Sequence, residues 1–126
     1  MLKEKSSAAI VAVSDIERAK KFYRDTLGLD LEEEFEGHVL TFRTGQTHLV
    51  VYRSEMAGTN KANAVVWGVG DDIETIVADL KAKGVVFEHY GDMPGARLVG
   101  DIHVGDGIKT VWFKDPDGNL LHLNSM

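Results

Sequence analysis

The sequence predicts an α+β fold made of two β-α-β-β-β modules in tandem, and three observations predict it. A short motif recurs: Ser14-Asp15-Ile16-Glu17 returns as Asp71-Asp72-Ile73-Glu74, 57 positions later. Each copy opens a run in which apolar residues recur with helical periodicity. Around each run lie short strand-like stretches separated by turn residues. The 126 residues, 44% of them hydrophobic, suffice for one domain spanning 1–126. Within it the first module covers about 8–53 and the second about 64–124.

Ala8–Val13 reads as the opening strand, and a helix follows over about 15–27. Ile16, Ala19, Phe22 and Tyr23 form its apolar stripe. Ser14 and Glu17 have capping-box spacing, and Gly28 stands where a helix end favours positive φ. Three strands come next, Leu29–Phe35, His38–Arg43 and His48–Arg53, broken by Glu36-Gly37 and Thr44-Gly45-Gln46. After the linker Ser54–Asn63 the order repeats. Ala64–Val69 is a strand, and a helix over about 72–83 carries the stripe Ile73, Ile76, Val77, Leu80 and closes at Gly84. Val85–Tyr90, Ile108–Lys114 and Leu120–Asn124 complete the module, the last two joined by the turn Asp115-Pro116-Asp117-Gly118. Gly91 to Gly107 has no clear period and is expected to be a long lid or binding loop.

Charge and composition exclude several function classes. A net charge of -6 disfavours nucleic acid as a partner, because a phosphate backbone calls for a basic stripe. Residues 1–54 carry eight Lys/Arg against nine Asp/Glu, and residues 55–126 six against eleven, so any electrostatic steering favours a cationic or neutral ligand. No run is long and apolar enough for a membrane span, and Met-Leu-Lys-Glu-Lys lacks the apolar stretch of a signal peptide. With no cysteine there is no thiolate ligand, nucleophile or disulfide, and a cytoplasmic location is expected. Gly68-Val69-Gly70 lacks the third glycine of a dinucleotide fingerprint, and neither a Gly-Lys-Ser/Thr loop nor a Gly-x-Ser-x-Gly elbow occurs.

Specific motifs narrow the choice. Val13-Ser14-Asp15-Ile16-Glu17-Arg18-Ala19, then Phe22-Tyr23 with Leu27-Gly28-Leu29, and Phe113-Lys114-Asp115-Pro116-Asp117-Gly118-Asn119 occur in this order. In that pattern the chain resembles the vicinal oxygen chelate superfamily, which contains glyoxalase I, extradiol dioxygenases, fosfomycin resistance proteins and bleomycin resistance proteins. The resemblance implies tandem βαβββ modules whose mixed sheets curl around a cavity with the helices outside. It also implies a homodimer; the linker suits modules that pair within one chain or between two.

The same resemblance implies where metalloenzymes of the family hold a divalent ion. One ligand sits seven residues before the helix-opening Asp and another four residues after a turn glycine. In this sequence those counts land on Ala8, on Val65 (or Ala64 if Gly70 is a bulge), on Leu49 and on His122. Hydrocarbon cannot donate a lone pair to a cation, and one imidazole does not hold a metal against water with useful affinity. No metal site and no cofactor are therefore expected. His38, His48, His89 and His103 are scattered, and Asp101-x-His103 reads as a solvated turn.

His122 is then either a hydrogen-bonded core histidine or a polar fixture in the cavity, with Leu120 and Asn124 on its face and Leu121 and Leu123 towards a helix. If Val65 faces the cavity, so does Trp67, an assignment that a bulge at Gly70 reverses. Trp112, Tyr52 and Phe42 are further candidates for the wall, where aromatics stack on planar ligands. Filling the core is the competing role of Phe42 and Phe113. The leading expectation is a metal-free binder of a planar or cationic organic compound, sequestering it as bleomycin resistance proteins do. The alternative is a metal-dependent lyase, isomerase or dioxygenase using His122 with further ligands. A metal-free enzyme with His122 moving a proton, and an interaction module whose cavity is only core, complete the set.

Overall fold

The computed structural model describes residues 1–91 and 93–126. It has the predicted α+β architecture: two mixed sheets, each with a helix. The chain forms two compact units. The first contains Met1–Ala64 and Asp115–Asn119; the second contains Val65–Lys114 and Leu120–Met126.

In the first unit the strands are β1 (Ala9–Val13), β2 (Asp30–Phe35), β3 (Val39–Thr44) and β4 (Thr47–Arg53), in the order β1-β4-β3-β2. β1 runs parallel to β4, pairing Val11 with Val51 and Ala12 with Tyr52, and the other pairs are antiparallel. The helix α1 (Ile16–Lys20) continues as a π-helical segment, Lys21–Thr26, with the Leu27 amide donating to the Phe22 carbonyl at 3.0 Å. Its start differs from the expected capping box. Asp15 is the cap, accepting from the Arg18 amide at 3.0 Å, while the Ser14 hydroxyl donates to Asp117 instead. The core lies between helix and sheet, where Ile16, Ala19 and Tyr23 meet Val11, Val13, Leu40, Phe42, Leu49 and Val51, all buried. Strand alternation leaves the other face to Ile10, Ala12, Val50 and Tyr52.

The turn Asp115–Asn119 is held to this unit by a buried carboxylate. Asp115 accepts from the Tyr23 hydroxyl at 2.7 Å, from the Asn119 side-chain amide at 2.8 Å, and from the backbone amides of Asp117 and Asn119. Asn119 donates its amide onward to the Ala12 carbonyl at 2.8 Å. Asp117 accepts from the Ser14 hydroxyl at 2.6 Å and pairs with Arg18 at 3.2 Å, so the turn grips the beginning of α1. Burial and the neighbouring carboxylate push the Tyr23 phenol far above its usual pKa, so it is a permanent donor.

The second sheet, whose strands lie in the second unit apart from the first two residues of β5, has the order β5-β9-β8-β7-β6, with β5 (Asn63–Gly68), β6 (Arg97–Val99), β7 (Ile102–Gly105), β8 (Ile108–Lys114) and β9 (Leu120–Asn124). The helix α2 (Ile73–Ala82) buries Ile73, Val77 and Leu80. Beneath it lie Val65, Phe87, Val111, Phe113, Leu121 and Leu123.

Two expectations fail here. Val85–Tyr90 is not a strand: Phe87 makes one bridge to Phe113, and the Glu88 amide donates to the Trp112 carbonyl at 2.8 Å. The edge it was expected to fill is shared with the β6–β7 hairpin, which forms inside the segment predicted to be a loop. Asp106 and Gly107, both at positive φ (52° and 76°), make the tight turn into β8. Gly105 has no substitute, since a Cβ there would lie 2.1 Å from the Gly95 carbonyl oxygen.

Removing the Tyr23 hydroxyl leaves the buried Asp115 short of one donor. Tyr23→Phe is expected to lower unfolding free energy by about 1–3 kcal/mol, read from the urea midpoint at unchanged slope.

Candidate functional site

β9 alternates cleanly. Leu121 and Leu123 are buried, whereas Leu120, His122 and Asn124 are half-exposed on the other face, as the period-2 reading expected. Across the ladder His122 pairs with Trp112 of β8, and their rings stack with centroids 4.6 Å apart and planes 26° from parallel. The Nδ1–H of His122 donates to the Val111 carbonyl at 3.1 Å. A carbonyl can only accept, so this bond fixes the tautomer and leaves the lone pair on Nε2. Burial holds the imidazole below the usual histidine pKa, the bond to Val111 opposing it only partly. At neutral pH His122 is therefore an uncharged acceptor.

Two rings meet the indole edge-on. Tyr90 lies 5.3 Å and His103 5.2 Å from the Trp112 centroid, with interplanar angles of 74° and 83°. His103 is only 2% exposed, and its Nε2 accepts the Tyr90 amide at 2.9 Å. Its Nδ1 is buried and, among the described residues, without a partner. The hairpin that carries His103 is tied down at its turn. Asp101 accepts from His89 at 2.8 Å and from Lys81 at 2.9 Å, and these two bonds hold its carboxyl below the usual range. Burial raises the Tyr90 phenol, which keeps it protonated.

The other predicted site residues fall elsewhere. Phe42 is fully buried, paired with Leu49 and 5.9 Å from the Tyr23 ring; it is core under α1, not a cavity wall. Trp67 is on the opposite side of β5 from the expected one. The Val69 amide donates to the Asn124 carbonyl, which sets Gly68 beside Asn124, and a Cβ on Gly68 would lie 3.7 Å from the Asn124 side chain. Gly68 and Val66 thus share the face of His122, and Trp67 shares that of Val65 and the buried leucines. The cause is the insertion at Gly70, where a short 3₁₀ turn, Gly70–Asp72, precedes α2. Tyr52 is half-exposed on the open face of the first unit, where Ile10, Ala12, Met56 and Asn119 join it around a hollow of about 220 Å³. A larger hollow, of about 440 Å³, opens at the start of α2 in the second unit. It is crossed by the Lys109–Glu74 ion pair and has no aromatic wall.

The positions implied for a metal offer few donors. Leu49 is not an open-face residue, because the hairpin at Gly45 is shorter than the turn at Gly118; Val50 takes that face in β4. By the same alternation Ala64, not Val65, is the open-side residue of β5. Among the described residues no three His, Asp or Glu side chains gather as a group. Hydrocarbon at Ala8, Val50 and Ala64 and a single imidazole at His122 do not fit a divalent cation.

Two mixed sheets, each crossed by one helix, with the open-face residues at the strand positions just described, define a glyoxalase-type fold. The chain belongs to the Glyoxalase/Bleomycin resistance protein/Dioxygenase superfamily, whose family model matches residues 6–123. Lactoylglutathione lyase from Agrobacterium tumefaciens superposes with a TM-score of 0.70 at 19% identity, over 94% of this chain and 91% of that one. A glyoxalase family protein from Enterococcus faecalis gives 0.71 at 23%, over 98% and 99%. A glyoxalase/bleomycin resistance protein from Streptomyces sp. CB03234 gives 0.62 at 26%, over 94% and 99%. No curated protein sequence matches at a significant level. Among the described residues no helix is long and apolar enough to cross a membrane.

The His122 environment has a measurable consequence. In an NMR titration its ring should protonate below the usual histidine value, because burial disfavours the cation. The unfolded chain takes that proton first, so the histidine's share of stability is complete at neutral pH and falls as pH drops through the folded value. His122→Gln should flatten that part of the stability profile.

Proposed function

We propose that this chain is a metal-free small-molecule binding protein that holds a planar or cationic organic compound and sequesters it. The observation that carries this reading is the His122–Trp112 stack: an aromatic platform on the open face of the second unit, its imidazole neutral and hydrogen-bonded. A flat guest gains dispersion and quadrupole contact with such rings, and a cation gains further from the indole face. The acidic balance of the chain favours a cationic guest approaching it. Tyr52 offers a phenol on the open face of the first unit. The scarcity of lone-pair donors at the strand positions that serve the metalloenzymes supports a role without a divalent ion. The reading includes self-association as a homodimer, which sedimentation equilibrium measures directly.

Calorimetric titration with 9-aminoacridine, a planar aromatic cation, tests the binding role. Saturable binding is expected for the wild type. Trp112→Ala should weaken it by at least about tenfold, since one stacked aromatic contact contributes roughly 1–2 kcal/mol. Trp67→Ala should leave it within about twofold, because Trp67 lies on the helix side of β5. A transition metal retained at one ion per chain after purification without chelator would overturn the metal-free assignment and favour a metal-dependent lyase, isomerase or dioxygenase.

A further inference from the structure

His122 has a directional group that stacking alone does not use. Its Nδ1–H is committed to the Val111 carbonyl at 3.1 Å, and the ring is clamped face to face on Trp112 at 4.6 Å. The remaining nitrogen, Nε2, has no hydrogen-bond partner among the described residues. Its in-plane lone pair therefore points along a direction set by the sheet rather than by a mobile side chain.

We propose that Nε2 of His122 is the specificity-determining acceptor of the site, selecting planar cations that carry an N–H donor over equally flat cations that carry none. This rests on the binding role proposed above and names its ligand class: protonated heteroaromatic amines. The physical basis is asymmetry. A donor-bearing guest satisfies the lone pair with a charge-assisted hydrogen bond while stacking beside it. A donor-free guest desolvates the same lone pair and gives nothing back, and an unmet buried acceptor costs more than an average hydrogen bond contributes.

The neighbours in the second unit are suited to this selection. Across β5, Val66 and Gly68 share the face of His122 and cannot titrate. On β9 itself Leu120 and Asn124 flank it and are neutral. On β8 the flanking residues are Thr110 and Lys114, the latter paired with Glu88 at 3.1 Å. Edge-on to Trp112 stand Tyr90, whose phenol is raised, and His103, whose Nε2 is occupied by the Tyr90 amide. Among these residues His122 is the titratable group with a free acceptor on the open face, so its protonation removes the selecting lone pair and sets a positive charge against the guest. Affinity for a donor cation is therefore full above the ordinary histidine range and falls as pH drops through the lowered value.

A matched pair of probes reads this out: 9-aminoacridine, a cation with N–H donors, and 10-methylacridinium, a cation of the same shape without any. At pH near 7.5 the wild type should bind the first about tenfold more tightly, and at a pH low enough to protonate His122 the ratio should approach one. His122→Phe keeps a ring for stacking and loses the acceptor, and should equalise the two affinities at both pH values. His122→Gln keeps an acceptor that does not titrate, and should retain the preference at both. If both cations bind the wild type equally at neutral pH, or if His122→Phe preserves the preference, the selection by His122 is wrong while the binding role stands. If neither cation binds, the binding role fails and this selection with it.

Discussion

Each sheet buries one face under its helix, and that single constraint assigns the side chains of the central strands. Because successive residues point to opposite sides, a position is either under the helix or on the open face, with no intermediate choice. In β4 this buries Leu49 and Val51 and leaves Val50 and Tyr52 open; in β9 it buries Leu121 and Leu123 and leaves His122 open. The chemistry available to the protein is what remains on the open side. That side carries His48, Val50 and Tyr52 in β4 and Trp112, His103 and His122 in the second sheet, and the bond to the Val111 carbonyl fixes the tautomer of His122.

The Asp115 carboxylate shows how a local turn is turned into tertiary structure. A buried charge is costly unless its lone pairs are met, and here four donors meet them. Two come from the turn's own backbone, one from Asn119, and one from Tyr23 on the helical segment after α1. The turn between β8 and β9 is thereby built into the first unit, although both strands it connects belong to the second. The Asp-Pro-Asp-Gly-Asn sequence is thus more than a reversal signal, since each acidic residue also anchors part of the first helical segment.

The aromatic cluster around Trp112 is assembled from three stretches of chain. The indole comes from β8, the stacked imidazole from β9, and the edge-on rings from Tyr90 and from His103 on the β6–β7 hairpin. The hairpin is pinned by Asp101 between Lys81 and His89, and by the Tyr90 amide on His103. These contacts fix the surroundings of Trp112, and the platform is therefore rigid in the sense that each ring is held from outside the stack.

The sequence by itself determined the two helices, seven of the strands, the turn at Gly118 and the face on which His122 lies, because periodicity and turn chemistry are local properties of the chain. Asp106-Gly107 is likewise a local hairpin signal, set in a stretch rich in other glycines. Only the tertiary structure decided the side of Trp67, the depth of Phe42 and the fate of Val85–Tyr90. One residue inserted at Gly70 reverses a strand's faces, and a neighbouring hairpin can take most of an edge from a segment with equal strand propensity. The stack of His122 on Trp112 belongs to the same class: ten positions separate the two residues, and only the β8–β9 register brings their rings together.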